Sequence, residues 1–134
     1  MNIAHFDDLL QAARQQTVPQ RLLLVFTRAE LPDQSTAEQR ADFAAGHGGA
    51  LVPAACVDKS PHEVSSFAAL AAEAAQMLDD WTVVFAASLS GRQGQAPTTD
   101  SAQAPLEQMV AAIRAGQISP YIPFDRTGDA IRLQ

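Results

Sequence analysis

The chain has 134 residues, with fifteen acidic and nine basic side chains and a formal net charge of −6 at pH 7. Hydrophobic residues make up 47% of it and charged residues 18%, which is typical of a globular protein. The length predicts one domain over residues 1–134 that needs no disulfide or metal to fold. The acidic balance and a single lysine, Lys59, exclude the clustered cations that non-specific nucleic-acid binding requires.

Cys56 is the only cysteine, so no disulfide forms within the chain and no Cys-x-x-Cys motif is present. The N-terminus lacks the pattern of a secretory signal, and no apolar run approaches the about 20 residues that span a bilayer. These features predict a cytoplasmic protein without a membrane partner. The residues His5, His47 and His62 have none of the spacings of a metal site, so neither a metal nor a cofactor is predicted.

Predicted helices and strands alternate from the N-terminus. Apolar residues at helical spacing predict a helix over 3–16, with Asp7 and Asp8 near its start, where carboxylates suit the helix dipole. The continuous apolar run at 21–27 predicts a strand that is buried on both faces. That pattern is typical of parallel sheets, whose strands are covered by helices on both sides.

A short helix and a second strand are predicted next. Ser35 and Glu38 have the spacing of a capping box and predict a helix over about 36–46. The apolar segment at 50–57 predicts a strand. Because Pro53 has no N–H to donate to a neighbouring strand, we expect this strand to lie at an edge of the sheet or to contain a bulge.

The segment 60–63, Ser-Pro-His-Glu, gives the strongest local signal in the chain. Ser60 and Glu63 have capping-box spacing, and Pro61 between them suits the first helical position. A long Ala-rich helix is therefore predicted to begin at this segment. A third strand is predicted over 81–87.

The last predicted elements are a helix and a hairpin. Pro105 suits the first turn of a helix that Gly116 ends, and residues 125–128 predict a hairpin turn in which Gly128 has a positive φ. The alternation of elements predicts a single layered α/β domain. We expect a mostly parallel or mixed sheet of about five strands, flanked by helices and closed by the C-terminal hairpin.

Residues 88–101, SLSGRQGQAPTTDS, connect the third strand to the last helix, where a loop can bind phosphate at the helix N-terminus. The candidate ligand-binding residues in it are Ser90, Gly91, Arg92 and Gly94. The loop lacks the lysine and the glycine spacing of known phosphate-binding motifs. The alternative is a mobile connection, for which two glycines are ordinary.

Two further cations extend this hypothesis. In a parallel sheet the carboxyl ends of the strands share one edge, so Arg28 and Lys59 are expected to lie beside Arg92 and to form an anion site. The alternative is that Arg28 and Lys59 only offset Glu30 and Asp58 on the surface.

Two resemblances bear on function. The first is to a small proteobacterial family whose members are often labelled "ribonucleotide reductase subunit alpha". It extends over the whole chain and is carried by 6–10 (FDDLL), 21–26 (RLLLVF), 54–70 (AACVDKSPHEVSSFAAL) and 121–128 (YIPFDRTG). Ribonucleotide reduction uses several cysteines and this chain has one, so the resemblance implies no mechanism.

The second resemblance is to the thioredoxin fold, and it lies in the order of elements. A helix (FDDLLQAA), a strand (LLLVF), a helix, a strand (LVPAACVD) and a terminal hairpin (FDRTGDAI) follow one another in that order. The family carries Cys-x-x-Cys after the first strand, where this chain has the residues Ala-Glu-Leu-Pro at 29–32. The resemblance therefore implies a thioredoxin-like alternative for the fold, without the redox activity.

The sequence contains no recognisable catalytic constellation, and Cys56 is predicted to pack in the core, as most free cysteines do. We therefore expect a non-catalytic protein that acts through contacts with a protein partner, or in an accessory role. A homodimer through the terminal strand or the Ala-rich helix is one form of such contact, and a monomer with a blunted edge is the other. The alternative function is an anion- or phosphate-binding domain, with or without enzymatic activity, that uses residues 88–101.

Overall fold

A computed structural model describes residues 3–30, 36–44 and 50–133, without the side chains of 42–44. Its strands form one antiparallel sheet in the order β2-β1-β3-β4. The elements in chain order are α1 (Phe6–Arg14), β1 (Gln20–Glu30), α2 (Ala37–Ala44), β2 (Ala50–Lys59), α3 (Phe67–Met77), β3 (Val83–Ser90), α4 (Thr99–Arg114) and β4 (Ile122–Phe124).

The prediction of a mostly parallel or mixed sheet of about five strands is wrong, because each pair among the four strands is antiparallel. The thioredoxin-like alternative fails for the same reason, since the sheet of that fold contains parallel strands. The expected fifth strand, the second arm of the hairpin, makes only an isolated bridge between Phe124 and Ala130. Burial of β1 on both faces was correctly predicted, but it follows from helices that cover both faces and does not fix strand direction.

Strand β1 lies at the centre of two apolar clusters. Leu22, Leu24 and Phe26 face α1 and α3, together with the fully buried Trp81. Leu23 and Val25 face the opposite way, toward α4. Each such side chain stabilises the fold by roughly 1.5–3 kcal/mol when it is fully buried. The domain is therefore three layers thick, with α1 and α3 on one face of the sheet and α4 on the other.

Strand β2 lies at the edge of the sheet and is irregular, as Pro53 predicted. Its pairing with β1 shifts by one residue between Phe26 and Thr27, whose partners are Ala55 and Pro53. The residue skipped is Ala54, which forms a bulge. From Ala55 onward the register is regular as far as Lys59.

The segment 60–63 forms a turn and does not begin a helix. The N–H of Ser60 donates to the Glu63 carboxylate at 2.9 Å, and the N–H of Glu63 donates to the Ser60 carbonyl at 3.0 Å. Only the Glu63 half of the predicted capping box is present, because the Ser60 hydroxyl accepts the N–H of His62, at 3.3 Å, and not that of Glu63. Helix α3 begins at Phe67, with Ser66 as its cap.

Two charged side chains of α1 hold this turn in place. Arg14 donates to the carbonyls of Pro61, at 3.1 Å, and of Val64. The Asp7 carboxylate accepts the N–H of Phe67 at 2.8 Å. A tertiary contact with α1 therefore satisfies the first turn of α3, which explains why local capping signals placed the start of the helix too early.

The boundaries of α4 agree in part with the prediction. Helix α4 begins at Thr99, so Pro105 lies inside it and not in its first turn, and the cap is Thr98. Gly116 follows the last turn with φ +77°, as predicted. At α2, reciprocal bonds join Thr36 and Gln39, while the predicted Ser35 and the end of the helix near residue 46 lie outside the described residues.

The C-terminal turn at 125–128 is confirmed, with Gly128 at φ +91°. It packs against the N-terminus of α1, where the Phe6 N–H donates to the Gly128 carbonyl at 2.7 Å. His5 caps α1 through Nδ1, which accepts the Asp7 N–H, while Nε2 lies 2.9 Å from the Thr127 carbonyl. A carbonyl oxygen only accepts, so Nε2 is the donor in this contact.

Gly128→Ala tests this packing. A Cβ at Gly128 would lie 2.5 Å from His5 Nε2 and 2.8 Å from Phe67 Cδ2, in addition to the positive φ. We expect a loss of about 2–4 kcal/mol in the free energy of unfolding, measured with urea. The matched control is Gly116→Ala, where φ is also positive but the space is open, with an expected loss of about 1 kcal/mol. Equal losses would contradict the packing.

Candidate functional site

Three of the candidate ligand-binding residues, Ser90, Gly91 and Arg92, line one open cleft of about 470 Å³. The cleft lies where β3 leads into α4, and its opposite wall includes Thr98 and Ser101. Gly94 does not line it. Three of the four loop residues named from the sequence therefore share one cleft.

A tight turn shapes the cleft. Arg92 and Gln95 exchange both backbone hydrogen bonds, at 3.1 and 2.9 Å, and the two residues between them, Gln93 and Gly94, have φ +54° and +76°. Two consecutive positive φ values are typical of a type I′ hairpin turn. Gly91 is required beside it, because a Cβ there would lie 2.0 Å from the Gln95 carbonyl oxygen.

The helix N-terminus at this cleft is already capped. Thr98 Oγ1 accepts the N–H of Ser101 at 3.1 Å, and Ser101 Oγ accepts the N–H of Thr98 at 2.8 Å. These two hydroxyls are therefore occupied within the chain. Arg92 is exposed, and within the described part of the chain its guanidinium forms no ion pair, unlike those of Arg21 and Arg28.

Neither of the other two cations lines this cleft. Arg28 is opposite Val52 and Lys59 is opposite Leu22, so the two lie about 20 Å apart along β1. Because β1 runs antiparallel to both β2 and β3, its Arg28 end lies at the opposite end of the sheet from Lys59 and Ser90. Lys59 does end its strand at the same end of the sheet as Ser90, but its side chain pairs with another residue.

Both cations have acidic partners, although not the expected Glu30 and Asp58. Arg28 Nη1 lies 3.8 Å from Asp80, and Lys59 Nζ lies 2.8 Å from Glu73 of α3. Lys59 is thus on the α3 face of the sheet. Both residues therefore form ion pairs with acidic side chains, which agrees better with the alternative prediction than with a shared anion site.

A second concave surface was not anticipated from the sequence. It is a groove of about 410 Å³ between the edge strand β2 and helix α4, called here the β2–α4 groove. Cys56 is exposed in it, contrary to the predicted role in the core. The lining residues are Cys56, Asp58, Thr99, Gln103, Leu106, Glu107 and Val110.

A hydrogen-bonded triad closes one end of the β2–α4 groove. Arg21 Nε donates to Asp58 Oδ2 at 2.5 Å, and Arg21 Nη2 donates to Thr99 Oγ1 at 2.8 Å. The Thr99 hydroxyl in turn donates to Asp58 Oδ2 at 2.9 Å. Burial raises the pKa of Asp58, but the hydrogen bonds from Arg21 and Thr99 and the Arg21 charge outweigh it and hold this pKa below its ordinary value of 3.8.

Beside this groove, the outer side of β2 is open. Within the described residues β1 is the only strand that pairs with β2, so the other side of the Ala50–Lys59 backbone faces no neighbouring strand. At the opposite edge, the N–H of Ile131 donates to the Pro123 carbonyl of β4 at 3.0 Å. The C-terminal arm thus partly covers the edge at which association was expected, whereas β2 pairs only with β1 in the part of the chain that the structure describes.

Among the described residues, no group of three or more His, Cys, Asp or Glu side chains is arranged to hold a metal ion, and no helix is long and apolar enough to cross a bilayer. His47 lies outside those residues. No protein-family model, curated protein or solved structure matches this chain.

The triad predicts a dependence of stability on pH. The lowered pKa of Asp58 means that its carboxylate stabilises the fold above pH 3.8, its unfolded value, and that this contribution is lost as the pH falls through the lower folded value. We expect Asp58→Asn to reduce the free energy of unfolding at pH 7 by about 1–3 kcal/mol and to flatten its decline in acid. Urea titrations at several pH values measure both effects.

The control is Asp79→Asn, which removes an exposed carboxylate outside the triad. It should leave both the stability at pH 7 and its acid dependence close to those of the unmodified chain, since surface substitutions typically change stability by less than about 0.5 kcal/mol. Identical curves for the two variants would contradict a stabilising triad.

Proposed function

We propose that this protein binds a partner protein by pairing an extended segment of the partner with the outer side of strand β2. The observation that carries the proposal is the open backbone edge of β2 beside the apolar β2–α4 groove. In strand addition, main-chain hydrogen bonds supply affinity and an adjacent groove for alternate side chains supplies specificity. Both parts are available on this surface.

The regular part of the edge is Ala55–Lys59, because the bulge at Ala54 and the missing N–H of Pro53 interrupt the strand before it. Five residues match a short docking strand. The interruption also limits uncontrolled pairing, since bulges and prolines are the devices by which edge strands avoid aggregation. A short, bounded docking edge therefore fits recognition of a segment and does not favour open-ended assembly.

The test uses random peptides displayed on phage, each long enough to span Ala55–Lys59, selected against the full chain. We expect selected peptides to slow amide hydrogen exchange in β2 and to bind at least about tenfold more weakly to Cys56→Lys, which places a charge in the groove. The control is Met77→Lys, which places the same charge at an exposed site on α3. Peptides that protect other elements and bind both variants equally would refute the proposal.

A second candidate function is anion binding in the cleft of residues 88–101. Its support is the exposed Arg92, which forms no ion pair within the described residues and lines this cleft with Ser90 and Gly91. Against it, the nearby hydroxyls of Thr98 and Ser101 already bond within the chain. Among the lining residues, this candidate site has one cation, Arg92, whereas three cations were expected to form it.

Inorganic phosphate and sulfate test this second candidate. If either anion binds the folded state, the melting temperature should rise with its concentration, corresponding to about 2.7 kcal/mol at a hundredfold excess over Kd. We expect Arg92→Gln to abolish the rise, and Arg40→Gln, which removes an exposed arginine of α2, to retain it. An equal rise in all three proteins would mean non-specific salt stabilisation.

A further inference from the structure

The β2–α4 groove has an unbalanced charge. Of its two carboxylates, Asp58 is paired with Arg21 at one end. The other, Glu107, is exposed and accepts only a long 3.4 Å hydrogen bond from the neighbouring Gln103 amide among the described residues. One uncompensated negative charge therefore lies on the rim of an apolar groove.

The apolar wall of the groove lies next to this charge on the same helix. Leu106 is 9% exposed and Val110 is half-buried, and Cys56 faces them from the strand. These three side chains offer a surface that an aliphatic group would cover. Because Leu106, Glu107 and Val110 all line the groove, and Glu107 and Val110 are neighbours at i,i+3 spacing, an occupant of the groove meets both apolar surface and negative charge.

A strand paired with β2 would present every second side chain to this groove, since successive side chains point to opposite faces. We propose that the natural occupant is an extended segment of a different protein that carries an aliphatic residue and, two positions away, a lysine or arginine that pairs with Glu107. This inference rests on the proposed strand addition at β2 and assigns the chemistry of the partner.

A second copy of this chain fits the same surface poorly. If two β2 strands paired along Ala55–Lys59, the side chains that each would present on the α4 face are Cys56 and Asp58, neither of which is a cation. Lys59 is directed to the other face, where it pairs with Glu73. Self-association would therefore bring acidic surfaces of a chain with net charge −6 together and leave Glu107 without a partner.

The experiment measures binding of the selected peptides to Glu107→Gln and to a control, Glu38→Gln, which removes an exposed carboxylate on α2. We expect the peptides to contain the aliphatic and basic pair, and Glu107→Gln to weaken their binding about twofold to fivefold at low salt, with a smaller effect at high salt. Glu38→Gln should not change binding. A charge exchange, Glu107→Lys with the peptide's lysine replaced by glutamate, should restore it.

The outcomes separate the two proposals. Peptides that protect β2 but lack a basic residue, or that bind Glu107→Gln unchanged, would overturn the charge inference and leave strand addition standing. Peptides that protect elements other than β2 and bind Cys56→Lys unchanged would overturn both. A concentration-dependent dimer in which two Cys56 thiols form a disulfide on mild oxidation, and which excludes the peptides, would identify a second copy as the occupant and overturn the inference.

Discussion

Strand β1 places apolar side chains on both faces of the sheet, with Leu24 and Phe26 on one side and Leu23 and Val25 on the other. Each face must then be covered, because apolar surface left in water costs free energy in proportion to its area. Helices α1 and α3 cover one face and α4 covers the other. Strand β1 is an inner strand of the sheet, with β2 on one side and β3 on the other. In the order β2-β1-β3-β4, β2 is therefore an edge strand.

Contacts between the start of α1 and the C-terminal turn place the C-terminal arm beside the β4 edge of the sheet. His5, Gly128 and Phe67 meet at the point where α1, the C-terminal turn and α3 converge, and the close approach there leaves no room for a Cβ at Gly128. The same packing places the C-terminal arm alongside β4, where Ile131 bonds to Pro123. One edge of the sheet is thereby partly covered by the chain itself, whereas β2 at the other edge pairs with no strand except β1 among the described residues.

The two concave surfaces differ in how far the sequence could predict them. The cleft at Ser90, Gly91 and Arg92 is formed within one connection, so its residues are close in sequence and were recognisable as a glycine-containing loop before a helix. The β2–α4 groove joins Cys56 and Asp58 to residues about fifty positions later. In the sequence, this groove corresponds to alternate residues of one strand and to residues at helical spacing in α4. That pattern identifies a groove only once the pairing of β2 and the position of α4 are known.

The sequence by itself determined the local properties: the apolar run of β1, the irregular edge strand at Pro53, the turn at Gly128 and the end of α4 at Gly116. These depend on hydrophobic periodicity and on backbone angles that a single residue imposes. Only the tertiary structure decided strand direction, the start of α3 at Phe67 and the separation of Arg28 from Lys59 and Arg92. A strand buried on both faces has the same composition in either direction, and a helix start can be stabilised by a side chain from another helix, as Asp7 does here.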